Sequence, residues 1–594
     1  MKRRTFTLLS LLLAFALSFS SCTKKQVTNE KVLNLAVSSK VKGLDPIYSN
    51  DLYSSSEVAR VYEGLLEYHY LKRPYTLKPN LAAAMPEVSK DGLTYTFKIL
   101  KGVMFQDDKA FPNGKGRELT AEDFVYSIKR LADPKLQGLG WWLLDGKIAG
   151  LDAWRKSNAA KDKVDYSEKV EGLQALDRYT LQFKLAKAFP QFLYSLAMPF
   201  TYATAKEVVD HYGAEFLNHP VGTGPFVLPE FNQSLKIVYT KNPTFRKKLY
   251  PSDASEEFKA IGMLEDAGKP LPLVDKIIVN IIVESQPRWL NFNKGKIDYM
   301  TIPKDNFDAA IPSGKNLSGD LKEKGISLLI SPSLDVTYTA FNHDLDLFKG
   351  NTKLRQAMSL AYNVDKSNEL FYNNQALPAQ SAVPPGIAGH IVGYQNPYRG
   401  HGKAEELALA KKLLLEAGYP GGKGLPEITY DCPSSTVSRQ IGEYFKKQMA
   451  QIGIKIKVMT NPWPELQKKI TKRQVMLYGI AWGADYPDAE NFLQLLFGPN
   501  KAPGANGSGY NNPEMNRLFT VAALLQDTPE RTALYEKMTR IAAEEVPWVF
   551  GVHRQSFVLS HGWLKNYVAT DFEAGQATYL NVNTKKKTEL SEKL

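Results

Sequence analysis

The chain has 594 residues, of which 43% are hydrophobic and 23% charged, and its 75 Lys and Arg outweigh 62 Asp and Glu to give +13. At roughly 100–200 residues per domain that length implies three or more domains or lobes; the composition excludes a disordered or collagen-like chain, and two cysteines exclude a disulfide scaffold. The positive charge is spread along the chain, apart from short runs such as Lys585-Lys586-Lys587, as on a solvated surface.

The N-terminus reads as an address. Met1-Lys2-Arg3-Arg4 is cationic, Thr5 to Ser21 carries no charge, and the leucine-rich centre from Leu8 to Phe19 is shorter than the ~20 residues of a spanning helix. Residues 1–21 therefore read as a secretory signal peptide. Phe19-Ser20-Ser21-Cys22 resembles a lipoprotein lipobox, with Phe19 where the consensus prefers Leu. The resemblance implies a Cys22 diacylated on its thiol, with polar residues 22–31 as a tether. Two or more acyl chains anchor stably where one does so only marginally. Cys432 would then be the only free thiol, and no second apolar stretch approaches spanning length.

Beyond the tether, Val32–Val37 is a short β run and Ser54–Tyr68 a helix, with Val58, Val61, Tyr62 and Leu65 at helical spacing. The stretch 93–100 alternates like a half-buried strand after the turn signal Asp91-Gly92. A helix opens at Thr120, where Thr120-Ala121-Glu122-Asp123 resembles a capping box. Strands follow at 180–185, 226–231, 236–240 and 274–283. The second half continues with helices 354–362, 403–417 and 437–451, then strands 454–458 and 475–481. The alternation gives an α/β class with more than one sheet.

Catalytic constellations are missing. His69, His211, His219, His343, His390, His401, His553 and His561 form no metal-ligand spacing, and neither a nucleophile elbow nor a P-loop is present. Gly222-Thr223-Gly224 leads into a strand, whereas a phosphate cradle needs a helix N-terminus.

Ordered segments carry more pattern. Pro79-Asn80-Leu81-Ala82-Ala83, Leu119 to Ser127, Pro220 to Phe226, Leu354-Arg355-Gln356-Ala357, Glu416 to Pro420 and Trp482-Gly483-Ala484-Asp485-Tyr486-Pro487-Asp488 succeed one another. Together they resemble the family 5 extracellular solute-binding proteins, the peptide receptors of ABC importers. The resemblance spans roughly residues 32–570. It implies a two-lobed periplasmic-binding-protein-like (type II) α/β fold with an extra domain inserted in the first lobe. Residues 32–78, 219–336 and 548–594 would build the first lobe, 79–218 the inserted domain and 337–547 the second lobe. The segments 137–172 and 249–272 look like surface insertions.

The resemblance also implies a site. A short peptide would lie extended between the lobes, its backbone pairing with strands. Asp485 would take its α-ammonium, with Trp482 as a flat wall and Gly483 and Tyr486 beside it; Asn50, Asp51 and Leu52 would approach from the first lobe. Some members carry an Arg in the strand before the Trp to meet the ligand carboxylate, and 475–481 has none. The implied partners are ABC permease subunits and, through the lipid, a membrane; the protein would be monomeric, need no cofactor, touch no nucleic acid and catalyse nothing. Alternatives are the same fold holding a nickel complex, haem or an oligosaccharide, a lipid-anchored hydrolase, or a chaperone-like binder that feeds no transporter.

Overall fold

The computed structural model describes residues 29–312, 316–502, 504–525, 527–572 and 575–594; the signal peptide, Cys22 and most of the tether lie outside the described residues. Among the described residues the chain builds four sheets of three or more strands, one of them the three-stranded set Tyr299–Thr301, Gln555–His561 and Ile326–Pro332. Val32–Val37 pairs in parallel with Lys276–Ile281, which continues antiparallel to Lys236–Lys241 and Phe226–Asn232. Leu33 and Leu35 alternate into the core, as the sequence pattern requires. Glu87–Val88, Thr94–Lys98, Thr180–Lys184 and Leu173–Asp177 form a separate antiparallel sheet in the insertion, with the helix Ala121–Ala132 packed on it.

The remaining sheet is the one that matters for the site. Its order is Ile456–Asn461, Ile428–Pro433, Leu477–Gly483, Asp335–Phe341 and Trp548–Phe550. Phe341 and Leu477 feed the core on one face, Val336, Tyr338 and Tyr478 that on the other.

Two places depart from the sequence reading. The helix expected over 54–68 spans Leu52–Val61, and Leu66–Tyr68 is instead a strand paired with Leu77–Pro79. The stop is tertiary: the Gly224 amide donates to the Val61 carbonyl at 2.8 Å, and a Cβ on Gly222 would fall 2.1 Å from that oxygen. The glycines of Gly222-Thr223-Gly224 thus let the strand entry close over a helix end. Second, Trp548–Phe550 pairs with Tyr338–Ala340 inside the second-lobe sheet, and Trp548 stacks on Tyr338 at 3.9 Å. The boundary expected at 548 therefore moves to Arg554, where the chain leaves for the first-lobe strand Gln555–His561.

Two chain segments cross between the lobes at this point, and they are tied together. Asp335, buried, accepts from the Arg554 backbone N–H at 2.8 Å and from the Arg554 guanidinium, while Ser333 N–H donates to Arg554 O at 2.9 Å.

The segment 137–172 is more than a surface insertion: Leu143, Leu144, Ile148, Leu151 and Trp154 are buried in the core shared with the insertion sheet. In 249–272, Tyr250, Ala254 and Leu271 pack against Tyr70 and Tyr579. No helix among the described residues is long and apolar enough to cross a membrane.

Candidate functional site

The strand Leu477–Gly483 has two different edges. Along one it pairs with Asp335–Phe341 over its whole length. Along the other, Ile428–Pro433 pairs with it only at Leu477 and Tyr478 before diverging. From Gly479 to Gly483 that second edge has no ladder partner among the described strands, leaving about 13 Å of strand at ~3.3 Å per residue. At Gly483 a Cβ would meet nothing within 4 Å. An unpaired edge is a template for another extended chain.

The edge runs into Asp485. Buried Asn491 organises the turn: its Oδ1 accepts from Trp482 Nε1 at 3.0 Å and from the Asp485 amide at 2.9 Å, and its Nδ2 donates to Asp485 Oδ2 at 3.0 Å. Asp485 Oδ1 has no hydrogen-bond partner among the described residues, and the side chain stays half-buried. Burial pushes its carboxyl up to about 6; nearby Glu490 adds to the rise, and the Asn491 hydrogen bond opposes it. A carboxylate so placed gains from a cation.

The other lobe meets this turn through aromatic rings. Tyr486 is buried and stacks on Tyr194 of the insertion, centroids 5.7 Å apart and planes within 3°, and Tyr194 stacks on Tyr68 at 6.2 Å. The Tyr68 hydroxyl is buried without a hydrogen-bond partner among the described residues. Burial holds it far above the ordinary tyrosine range, with Tyr194, Tyr75 and Asp485 contributing, so it stays protonated and can accept or donate. Lys147 Nζ stands 4.1 Å from the centre of the Phe189 ring; burial brings it down to about 8 against the pull of Glu490 across the lobes. Glu490 is itself raised, first by burial, while the Tyr486 hydroxyl donates to it and Lys147 steadies its charge.

The structure thus gathers Trp482, Gly483, Asp485 and Tyr486. Asp488 of the same motif has a structural task, accepting the Glu490 amide at 2.9 Å and pairing with Arg531. Asn50, Asp51 and Leu52 make local contacts: Asp51 accepts the Ser54 amide and hydroxyl, both at 3.0 Å, and sits 3.4 Å from Lys42, which also reaches Asn50 at 3.3 Å. Leu52 is 77% exposed. Asn491, Tyr68, Tyr194 and Lys147 escaped sequence reasoning, because each lies far along the chain from the motif or carries no pattern of its own. No group of three or more His, Cys, Asp or Glu among the described residues could hold a metal ion.

Residues 76–504 match the model of the bacterial extracellular solute-binding proteins, family 5. The chain belongs to this family, the solute-binding receptors of ABC importers. Heme-binding protein A of Haemophilus influenzae is 27% identical over 524 residues, covering 86% of this chain and 85% of that one. The glutathione-binding protein GsiB of Escherichia coli is 27% identical over 527 residues, covering 87% and 88%. Among solved structures, the periplasmic binding protein DppA from Helicobacter pylori in complex with peptide STSA superposes with a TM-score of 0.73 at 26% identity, covering 93% of this chain and 98% of that one. The murein tripeptide binding protein MppA of Escherichia coli, at 22% identity and a TM-score of 0.72, shares the fold. Family 5 receptors act outside the cytoplasm, and they bind substrates for transport.

Proposed function

We propose that this receptor captures short peptides between its lobes and delivers them to the permease subunits of an ABC importer. On this reading it is a monomer held to the membrane by lipid on Cys22, and it releases its ligand chemically unchanged. The observation that carries the reading is the edge Gly479–Gly483, unpaired among the described strands and leading to Asp485, whose second oxygen has no hydrogen-bond partner among the described residues. Main-chain pairing along the edge supplies affinity independent of side-chain sequence. The α-ammonium settles on Asp485 Oδ1, with the Tyr68 hydroxyl as second acceptor and Trp482 alongside. A charge-assisted hydrogen bond there contributes ~1.5–3 kcal/mol, and selects a free N-terminus. Closure of the lobes around the peptide is the state the transporter would recognise.

The test is mass spectrometry of the ligands released when residues 23–594 are purified and denatured. A set of short peptides with free N-termini is expected; a single non-peptide solute would overturn the peptide reading and keep the fold. Haem is the second reading, favoured by the haem-binding relative from Haemophilus influenzae. Absorbance of the purified protein in the Soret region after haem addition separates the two.

A further inference from the structure

Beside the unpaired edge, the second lobe holds a cavity of about 350 Å³. Thr337 pairs with Ala481 and Thr339 with Gly479, so these four positions share one face of the sheet and, being small, form its floor together with Gly551. Tyr372 and Tyr430 wall it.

Among its lining side chains only Arg554 is charged. The guanidinium is fixed from behind, its Nε held on the buried Asp335 carboxylate, which also accepts the Arg554 amide. Neither Nη has a hydrogen-bond partner among the described residues, and the side chain is 47% exposed. A guanidinium offers five N–H donors in a rigid fork. With Nε spent, the Nη pair remains for a second carboxylate, in the geometry that makes arginine–carboxylate contacts strong. The strand that borders the cavity offers no alternative, since Val475–Ala481 contains neither Arg nor Lys.

We propose that Arg554 receives a carboxylate of the bound peptide in this cavity while the peptide's ammonium rests on Asp485. The inference rests on the peptide reading above. It makes Arg554 a specificity residue, and one standing on a crossing between the lobes, so that the ligand's negative charge is held by a strand on which the lobes turn. The carboxylate can be the C-terminal one or an acidic side chain.

The test offers the mature chain random tripeptide and tetrapeptide pools, as free acids and as C-terminal amides, and reads the retained peptides by mass spectrometry. Retention of free acids over amides by at least about tenfold is expected for the unaltered protein. Arg554→Gln should erase the preference, with Arg554→Lys intermediate; thermal melts check that both variants fold, and the acid–amide comparison on the unaltered protein needs no variant. Amides enriched in Asp or Glu, retained through Arg554, would assign the contact to a side-chain carboxylate and equally support the proposal. Equal retention of acids and amides without acidic enrichment would overturn it and leave the peptide reading standing. Retention of no peptide from any pool would overturn both.

Discussion

Asp51 and Asp485 are the same residue type, one in each lobe, and their surroundings assign them opposite work. Asp51 begins a helix: both its oxygens are engaged by Ser54, and Lys42 balances its charge. Asp485 follows a strand end: one oxygen is held by Asn491, the other has no hydrogen-bond partner among the described residues, and burial pushes its carboxyl up to about 6. The first environment satisfies the carboxylate and stabilises the fold. The second withholds the compensating charge, a cost in stability that a cationic ligand offsets. An aspartate's availability is read from the partners it lacks.

Replacing each residue sharpens this contrast. The largest effect is expected from Asp485→Asn, which should weaken peptide binding by about 10- to 100-fold by calorimetry. Because the native carboxyl lies above its unfolded value of 3.8, ionising it disfavours the folded state. That penalty is absent well below pH 4, grows as pH rises toward 6 and is constant above. The same variant should therefore be more stable than the parent at pH 7.5, by on the order of 1–3 kcal/mol in denaturant unfolding, and equal to it near pH 3. An ammonium ligand binds the ionised form, so affinity should fall up to tenfold per pH unit below about 6, with proton release on binding. Titration in buffers of different ionisation enthalpy checks this, and the trend should vanish in Asp485→Asn.

Tyr68→Phe comes next. Losing the second acceptor should cost roughly three- to tenfold in affinity, while stability holds or rises because a buried hydroxyl with no hydrogen-bond partner among the described residues is removed. The smallest effect on binding is expected from Asp51→Ala, within about twofold, although loss of the helix cap should cost ~1 kcal/mol of stability. A large affinity loss in Asp51→Ala would break the contrast and count Asn50–Leu52 in the site.

Much of the local structure was legible because local chemistry decides it. Val32–Val37 alternates and is a strand over those residues; Thr120 and Asp123 form the capping pair expected, the Thr120 amide donating to Asp123 at 2.8 Å. Where distant chain intervenes, pattern misleads. The helical stripe through Leu65 is genuine in sequence, yet Gly222 and Gly224 close over Val61 and end the helix there. The motif Trp482–Asp488 was visible as a motif, but its division of labour was not. Asn491 orders its turn and Arg531 takes Asp488, while Tyr68, distant in the chain, joins the site by stacking on Tyr194, which stacks on Tyr486. Arg554 was hidden for the same reason: its cavity is assembled from strands scattered over the second lobe.

The most direct measurement of the central claim compares the tripeptide pool with its N-acetylated twin in competition for the purified receptor, at pH 7.5, with retained peptides counted by mass spectrometry. Capture of the ammonium on Asp485 predicts that acetylation lowers retention by at least about tenfold, and that Asp485→Asn removes the discrimination. Equal retention of the two pools by the unaltered protein would contradict it.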